Sequence, residues 1–364
     1  MLGWFQNWRE RRAALNELRD SQRAEEALLL DQTLNPLNMA KLSLGSGNHE
    51  TLASYWDSAR QLLPNAIMTS PDSLEILLAL KRHDEAEELM RRCRKRFPRD
   101  PAYLIGLAQI AEARGDLNEA TKQWKNARNR SKNLVGGFLG YARCLMALGR
   151  LDEAEVQWTQ AIRRDPNNLQ AWAGRARVCD LRKDWEQSIE RWKYMAETYR
   201  EPPAFACVAK AMVELGRVDE AEAWLAEPSR LYTNDLEIAV AHAELAQRRG
   251  DVSAACDRWA RVRAINPAFH AGYHDGSFRL IEAARHAEAE AVLREAMERF
   301  PDEVWPYQNF AQIAHNQSDW NEAASRWATL RQRFPSVEAG LSFGAEALEG
   351  AGRHAEAAAL RRTA

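Results

Sequence analysis

Small, large and polar positions return along this chain in a fixed order. The stretch GRLDEAEVQW at 149–158 has close variants at 115–124 (GDLNEATKQW), 183–192 (KDWEQSIERW), 250–259 (GDVSAACDRW) and 318–327 (SDWNEAASRW). Weaker echoes stand at 81–90, 216–225, 284–293 and 352–361. With the small residue at the centre of each as an anchor, the anchors are Ala86, Ala120, Ala154, Ser188, Ala221, Ala255, Ala289, Ala323 and Ala357. Every step is 34 residues except Ser188 to Ala221, which is 33. Four residues after the anchor comes Trp124, Trp158, Trp192, Trp259 or Trp327, with Met90, Leu225 and Leu293 as substitutes. Twelve residues before it comes an alanine, Ala108 through Ala345, with Ser277 as the exception in one unit. Twelve residues after it, proline closes five of the units, at Pro98, Pro166, Pro267, Pro301 and Pro335.

These positions predict a helix-turn-helix unit. An alanine in the middle of each helix allows close backbone approach, and the large residue one turn later fills the space beside it. Glycine ahead of the anchor ends the first helix at a positive φ. A neighbouring Asp or Asn caps the second helix, and proline stops it. One hairpin cannot bury its own apolar face, so the units must stack. Lys183, Ala284 and Ser318 stand where glycine is expected, and Ser188 stands where the anchor alanine is expected. The unit at 203–235 is one residue short and has no closing proline, which predicts an irregularity near Glu227–Asn234, at Pro228. Extending the period backwards brings Ala40, Gly47, Leu52, Trp56 and Pro64 into phase as a degenerate unit.

Composition changes this picture little. The formal charge of −2 supplies no global basic field, so nucleic acid is not the expected ligand. Five cysteines, Cys93, Cys144, Cys179, Cys207 and Cys256, form no C-x-x-C pair and read as helix thiols of a reducing compartment. No apolar run reaches membrane-span length, and the first thirty residues lack the features of a secretory signal. No phosphate loop, nucleophile elbow or zincin motif appears, and no cofactor is expected. His270 and His274 have metal-clasp spacing, with Asp275 or His315 as a third ligand, against a plain polar surface as the alternative. His83, His286 and His354 read as exposed spacers in the turns. Trp56, Trp172, Trp185 and Trp320 join the five periodic tryptophans as structural filler, and the Gln or Arg before each periodic Trp is expected over the ring edge or paired outward.

The 34-residue period, paired small residues, turn glycine and closing proline resemble the tetratricopeptide repeat family over about 33–364. The resemblance implies an all-α fold, a right-handed α-solenoid of about ten repeats near 33–66, 67–100, 101–134, 135–168, 169–202, 203–235, 236–269, 270–303, 304–337 and 338–364. It also implies that the first helices line a concave groove that binds a peptide or helix of a partner protein. Eleven residues before each anchor, this phase puts Glu75, Gln109, Arg143, Arg177, Lys210, Glu244, Phe278, Gln312 and Glu346 on that face. Arg143, Arg177 and Lys210 form a basic ladder suited to an acidic segment, with the small residues Gly106, Gly140, Gly174, Cys207 and Ala241 leaving space beside it. Internal pairing with Asp180 and Glu214 is the competing reading. The family's carboxylate-clamp pattern does not align. A second surface comprises Trp305, Gln308, Asn309, Gln312, His315 and Asn316, with His274, Asp275 and Phe278.

Residues 1–32 are expected to form an amphipathic helix whose Trp4, Phe5 and Trp8 share one face. That face can cap the array, dock a partner or lie at a membrane interface, the last being weakened by Glu10, Glu17 and Asp20. The C-terminal unit stops inside its second helix, leaving its last face without a solvating helix. The sequence therefore predicts a cytoplasmic, non-catalytic scaffold for a protein partner. The alternative is an accessory subunit of bacterial envelope polysaccharide synthesis or export, held peripherally at the inner membrane by its N-terminal helix.

Overall fold

The computed structural model describes residues 36–45, 48–62, 67, 72–131 and 134–362. Among these residues the secondary structure is entirely helical. They fall into two compact units, one ending at Val178 and the other beginning at Cys179. In the first, helices pair as α1 (Pro36–Leu44) with α2 (His49–Leu62), α3 (Asp72–Ala79) with α4 (His83–Arg96), α5 (Ala102–Ala113) with α6 (Leu117–Arg130), and α7 (Val135–Ala147) with α8 (Leu151–Arg164). Helix α9 (Leu169–Arg182) carries the boundary. The second unit continues with α10 (Trp185–Tyr199), then α11 (Pro202–Glu214) with α12 (Val218–Ala226) and the single turn α13 (Pro228–Leu231). It closes with α14 (Leu236–Arg249) and α15 (Val252–Ile265), α16 (His270–Glu282) and α17 (His286–Arg299), α18 (Trp305–Asn316) and α19 (Trp320–Arg333), and α20 (Glu338–Gly350) and α21 (His354–Arg361).

All nine anchors, from Ala86 through Ser188 to Ala357, are fully buried. The small residues twelve positions earlier, from Ala108 to Ala345, are at most 2% exposed, Ser277 included. The periodic tryptophans are as deeply placed, from Trp327 at 0% to Trp124 at 4%. Burying roughly 200 Å² of indole removes about 5 kcal/mol of unfavourable hydration per ring, before entropy is counted.

What the rings pack against corrects one expectation. The glycines of the following first helix do not leave room beside the basic ladder, because the preceding unit's large residue occupies that room. A Cβ on Gly106 would lie 2.2 Å from Met90 Sδ, on Gly140 2.3 Å from the Trp124 ring, and on Gly174 2.4 Å from the Trp158 ring. Glycine is there to seat the ring. In the second unit arginine plays a related part: Arg263 and Arg331 donate to the Gly272 and Gly340 carbonyls, each at 2.9 Å.

The turns follow one geometry. The residue five before each anchor has positive φ in all nine units, whether it is Gly115, Gly149, Gly216, Gly250 and Gly352 or the non-glycines Lys81, Lys183, Ala284 and Ser318. In each case the next N–H returns to the first helix, as in Asp116 to Ala111 (2.9 Å) and Arg285 to Leu280 (2.9 Å), a Schellman closure. That closure holds Lys183, Ala284 and Ser318 in a conformation their side chains disfavour. The following position alternates along the chain between Arg and Asp. Asp116, Asp184, Asp251 and Asp319 accept the backbone N–H of Glu119, Gln187, Ala254 and Glu322. Arg150, Arg217, Arg285 and Arg353 instead pair through the guanidinium with the carboxylate three residues on. The short unit breaks its second helix at Glu227, where Pro228 starts the one-turn α13 and Arg261 donates to the Ser229 and Thr233 carbonyls.

Candidate functional site

The position eleven before each anchor lies beside the buried alanine row, yet it faces solvent. In the first unit Glu75, Gln109, Arg143 and Arg177 are exposed there; in the second, Lys210, Glu244, Phe278 and Glu346 are exposed and Gln312 is half-buried. One step of about 100° around the helix separates a close-packed surface from an open one.

The basic residues of this row have different surroundings. Arg143 pairs with Glu112 at 3.1 Å, and Glu112 also accepts from Trp124 Nε1 at 3.0 Å and Cys144 Sγ at 2.9 Å. Burial, with that carboxylate alongside, pushes the Cys144 thiol up to about 12. Arg143 is thus partly neutralised by a residue outside the pairings expected from sequence. Arg177 makes no ion pair or hydrogen bond among the described residues. Asp180, expected to neutralise the ladder, instead accepts Trp192 Nε1 at 3.0 Å and the Ser188 hydroxyl. Lys210 lines a small recess between α11 and α14 with Glu214, Glu244 and Arg248, over Ala241 and Leu245. None of these four charged groups forms an ion pair among the described residues. Burial raises the Glu244 carboxyl above its usual range, opposed by Lys210.

Further along the second unit, Phe278 is 50% exposed, with the Arg279 guanidinium 4.6 Å from its ring centre. Trp305 Nε1 donates to His270 Nε2 at 2.7 Å, and the His274 ring lies 5.1 Å from the Trp305 ring. His274 Nδ1 is 2.9 Å from Asp275. Gln312 donates to Asn316 at 2.7 Å, while Gln308 and Asn309 are half-buried and make no side-chain hydrogen bond among the described residues. His315 departs from the expected surface. Its ring packs at 5.2 Å from Trp320 and 5.5 Å from Phe343, and its side chain is only 14% exposed. The metal-clasp reading loses its geometry, since the His270 Nε2 lone pair accepts the indole proton and His315 is taken up by these aromatics. Among the described residues no three His, Cys, Asp or Glu side chains converge. His286 is half-buried rather than an exposed spacer, as is His83; His354 is exposed. Trp4, Phe5 and Trp8 lie outside the described residues.

The residues before the periodic tryptophans do more than cover a ring edge. Arg258 grips Glu222 of the preceding repeat, with Nη1 to Oε2 at 3.0 Å, and donates to the His242 carbonyl at 2.8 Å. Arg326 does the same with Glu290 at 2.8 Å and the Phe310 carbonyl at 2.9 Å, its guanidinium 3.8 Å from the Phe310 ring centre. Partners 36 residues away are invisible to a search within one repeat. The basic run RRCRKRFPR at 91–99 was readable as sequence but has no place in the groove pattern.

Comparison with known proteins agrees with the repeat geometry. The tetratricopeptide repeat model matches residues 72–110 and 135–178. Together with the period through the remaining described chain, this supports a tetratricopeptide repeat protein. No curated protein matches it in sequence. Solved structures similar to it include a tetratricopeptide repeat protein from Parabacteroides merdae, 16% identical over 68% of this chain and 98% of that one, with a TM-score of 0.45. Another is pilF of Pseudomonas aeruginosa, 17% identical over 58% of this chain and 97% of that one, with a TM-score of 0.44. A third is YrrB, described as having an unusual peptide-binding site, 17% identical over 51% of this chain and 97% of that one, with a TM-score of 0.37. Tetratricopeptide repeat proteins generally mediate protein–protein interactions and are typically non-catalytic. No helix among the described residues is long and apolar enough to cross a membrane.

Proposed function

We propose that the chain is a non-catalytic scaffold holding a segment of a partner protein against the solvent-facing row of its first helices. The observation that carries this reading is the contrast within those helices: the small residue is buried in each of the eight units from Ala108 to Ala345, and its neighbour is left to solvent in nearly all. In the first unit Arg177, exposed and without an ion partner, is the contact for an acidic residue of a bound segment, with Arg143 as a further cationic contact; Lys210 offers a cation on the same row of the second unit. Phe278 and the side chains of Trp305, Gln308, Asn309 and Gln312 supply aromatic and amide contacts in the second unit, and Gln109 and Glu244 complete the row. The unengaged amides of Gln308 and Asn309 suit a peptide backbone, which offers donors and acceptors at regular spacing. On this reading the array works in the cytoplasm, where its free thiols are stable.

The test is capture from an extract of the natural host by the immobilised full chain and by its Arg177→Glu variant, at matched helicity. Loss of the specifically bound protein in the variant supports the reading. Unchanged capture removes Arg177 from the binding surface. Arg143→Glu is the poorer probe, because it also disturbs the acceptor shared by Trp124 and Cys144.

A further inference from the structure

The chain's near-neutral total conceals a strong local imbalance. Residues 91–132 contain twelve Lys and Arg against four Asp and Glu, a net +8, which leaves −10 for the rest of a chain whose total is −2. This excess does not lie on the first-helix row. Five of the twelve cations, Arg91, Arg92, Arg94, Lys95 and Arg130, line an open recess between the C-terminal ends of α4 and α6, with Tyr103 and Glu88.

Helix polarity accounts for part of this, since cations are favoured in a helix's last turn. Most other second helices of the chain meet that preference with one or two basic residues there, as in α8 and α19. Helix α4 ends with Arg94, Lys95 and Arg96, preceded by Arg91 and Arg92 and followed by Arg99. Arg91 and Arg92 are held by Glu87 at 2.7 Å and Glu88 at 3.2 Å. Arg94, Lys95, Arg96 and Arg99 form no ion pair among the described residues, and all four are exposed. Arg94 is held near the Tyr103 ring, 5.9 Å from its centre, and Arg130 is braced by the Pro98 carbonyl. Unpaired cations crowded on one helix end repel one another, and an anionic partner relieves that cost.

We infer that this recess is a second docking surface, separate from the first-helix row, and that it takes an extended acidic segment of a partner protein. The spacing supports a peptide. Arg91 and Lys95, four residues apart on α4, are separated by about 6 Å along the axis, close to the roughly 6.6 Å between alternate residues of an extended chain. A second recess along α6, closed by Tyr141 and Arg150, adds Lys122, Lys125 and the amides of Asn118, Asn126 and Asn129. Amides next to cations suit a peptide backbone flanked by carboxylates. A nucleic acid fits less well, because its unbroken phosphate charge would meet the Glu88 carboxylate among these cations, where a peptide can place an uncharged residue.

The experiment measures binding of a fluorescein-labelled decapeptide of alternating Glu and Ser to the full-length chain by anisotropy in low salt. Lys95→Glu with Arg99→Glu, both at exposed unpaired positions, is expected to weaken binding about tenfold. The Lys95→Gln, Arg99→Gln pair is expected to give a smaller loss, and Arg177→Glu none. Circular dichroism of each variant confirms equal helicity. Three results overturn the inference: no binding of the peptide, binding that the α4 variants leave unchanged, or tighter binding of a single-stranded RNA or of phosphatidylserine vesicles with the same sensitivity to those variants.

Discussion

Two glycines on one helix test the packing account against simple helix propensity. Gly136 and Gly140 both lie in α7, and on propensity alone alanine at either should stabilise the helix by up to about 1 kcal/mol. The structure separates them. A Cβ on Gly136 has nothing within 4 Å, whereas on Gly140 it falls 2.3 Å from two ring atoms of Trp124, which is 4% exposed. Ordinary carbon contacts lie at about 3.5–4.0 Å, so the indole must retreat by more than an ångström within a close-packed core. Its Nε1 is tied to Glu112 at 3.0 Å, so retreat also strains a hydrogen bond worth about 1 kcal/mol. Overpacking of this kind costs about 1–3 kcal/mol. With the strained bond added and the propensity gain deducted, Gly140→Ala should lose about 1–3 kcal/mol net. Gly136→Ala should gain about 0.5 kcal/mol, being near the helix start. Urea unfolding followed by circular dichroism and tryptophan fluorescence reads both. Repeat arrays need not unfold all-or-none, so midpoints are compared only where the slopes agree. A Gly140→Ala chain as stable as the parent would refute the seating of Trp124 on that glycine.

Other consequences follow from the turns and bridges. Ala284→Gly and Ser318→Gly should each raise stability by about 0.5–1 kcal/mol in thermal or urea melts, because each relieves a left-handed residue at a small entropic cost. Arg326→Ala should cost about 2–3 kcal/mol, since the side chain is 10% exposed and its loss strips the Phe310 carbonyl of its donor and leaves Glu290 with Arg294 alone; a double-mutant cycle with Glu290→Ala checks that the loss is shared. The hydrogen bond from Arg258 holds the Glu222 carboxyl below its usual range. A depressed carboxyl stabilises fully above its unfolded value, about 4.3, and loses that contribution as pH falls through the lower folded value. Glu222→Gln should therefore flatten the acid limb of a stability–pH profile without changing its shape above pH 6.

The period, the buried residues and the Asp caps could be read from sequence because each is a local demand repeated many times. A fully buried alanine tolerates only a few residue types, so nine anchors report one physical constraint. The Arg–Asp alternation at the cap position was equally available, since it needs only every second unit to be compared. Other features obey geometry without fixing residue type. The indole acceptor twelve residues before the periodic Trp is Glu112, Met146, Asp180 or Gln247, which share a distance and no chemistry. Lys183 and Ala284 hide a positive φ that glycine would have declared. The role of Gly140 could not be seen within one repeat, because the ring it seats belongs to the repeat before. The candidate surface was placed by phase alone, whereas the neutralisation of Arg143, the freedom of Arg177 and the inward turn of His315 depend on partners that only folding brings together.

The central claim is that partners are held on the first-helix row. A photo-crosslinking amino acid placed in turn at Gln109, Arg177 and Phe278, and at the exposed second-helix positions Val156 and Glu190, tests it in cells of the natural host. The account predicts a shared protein adduct from the first-helix positions that the second-helix positions do not give. Adducts from Val156 or Glu190 alone would contradict it.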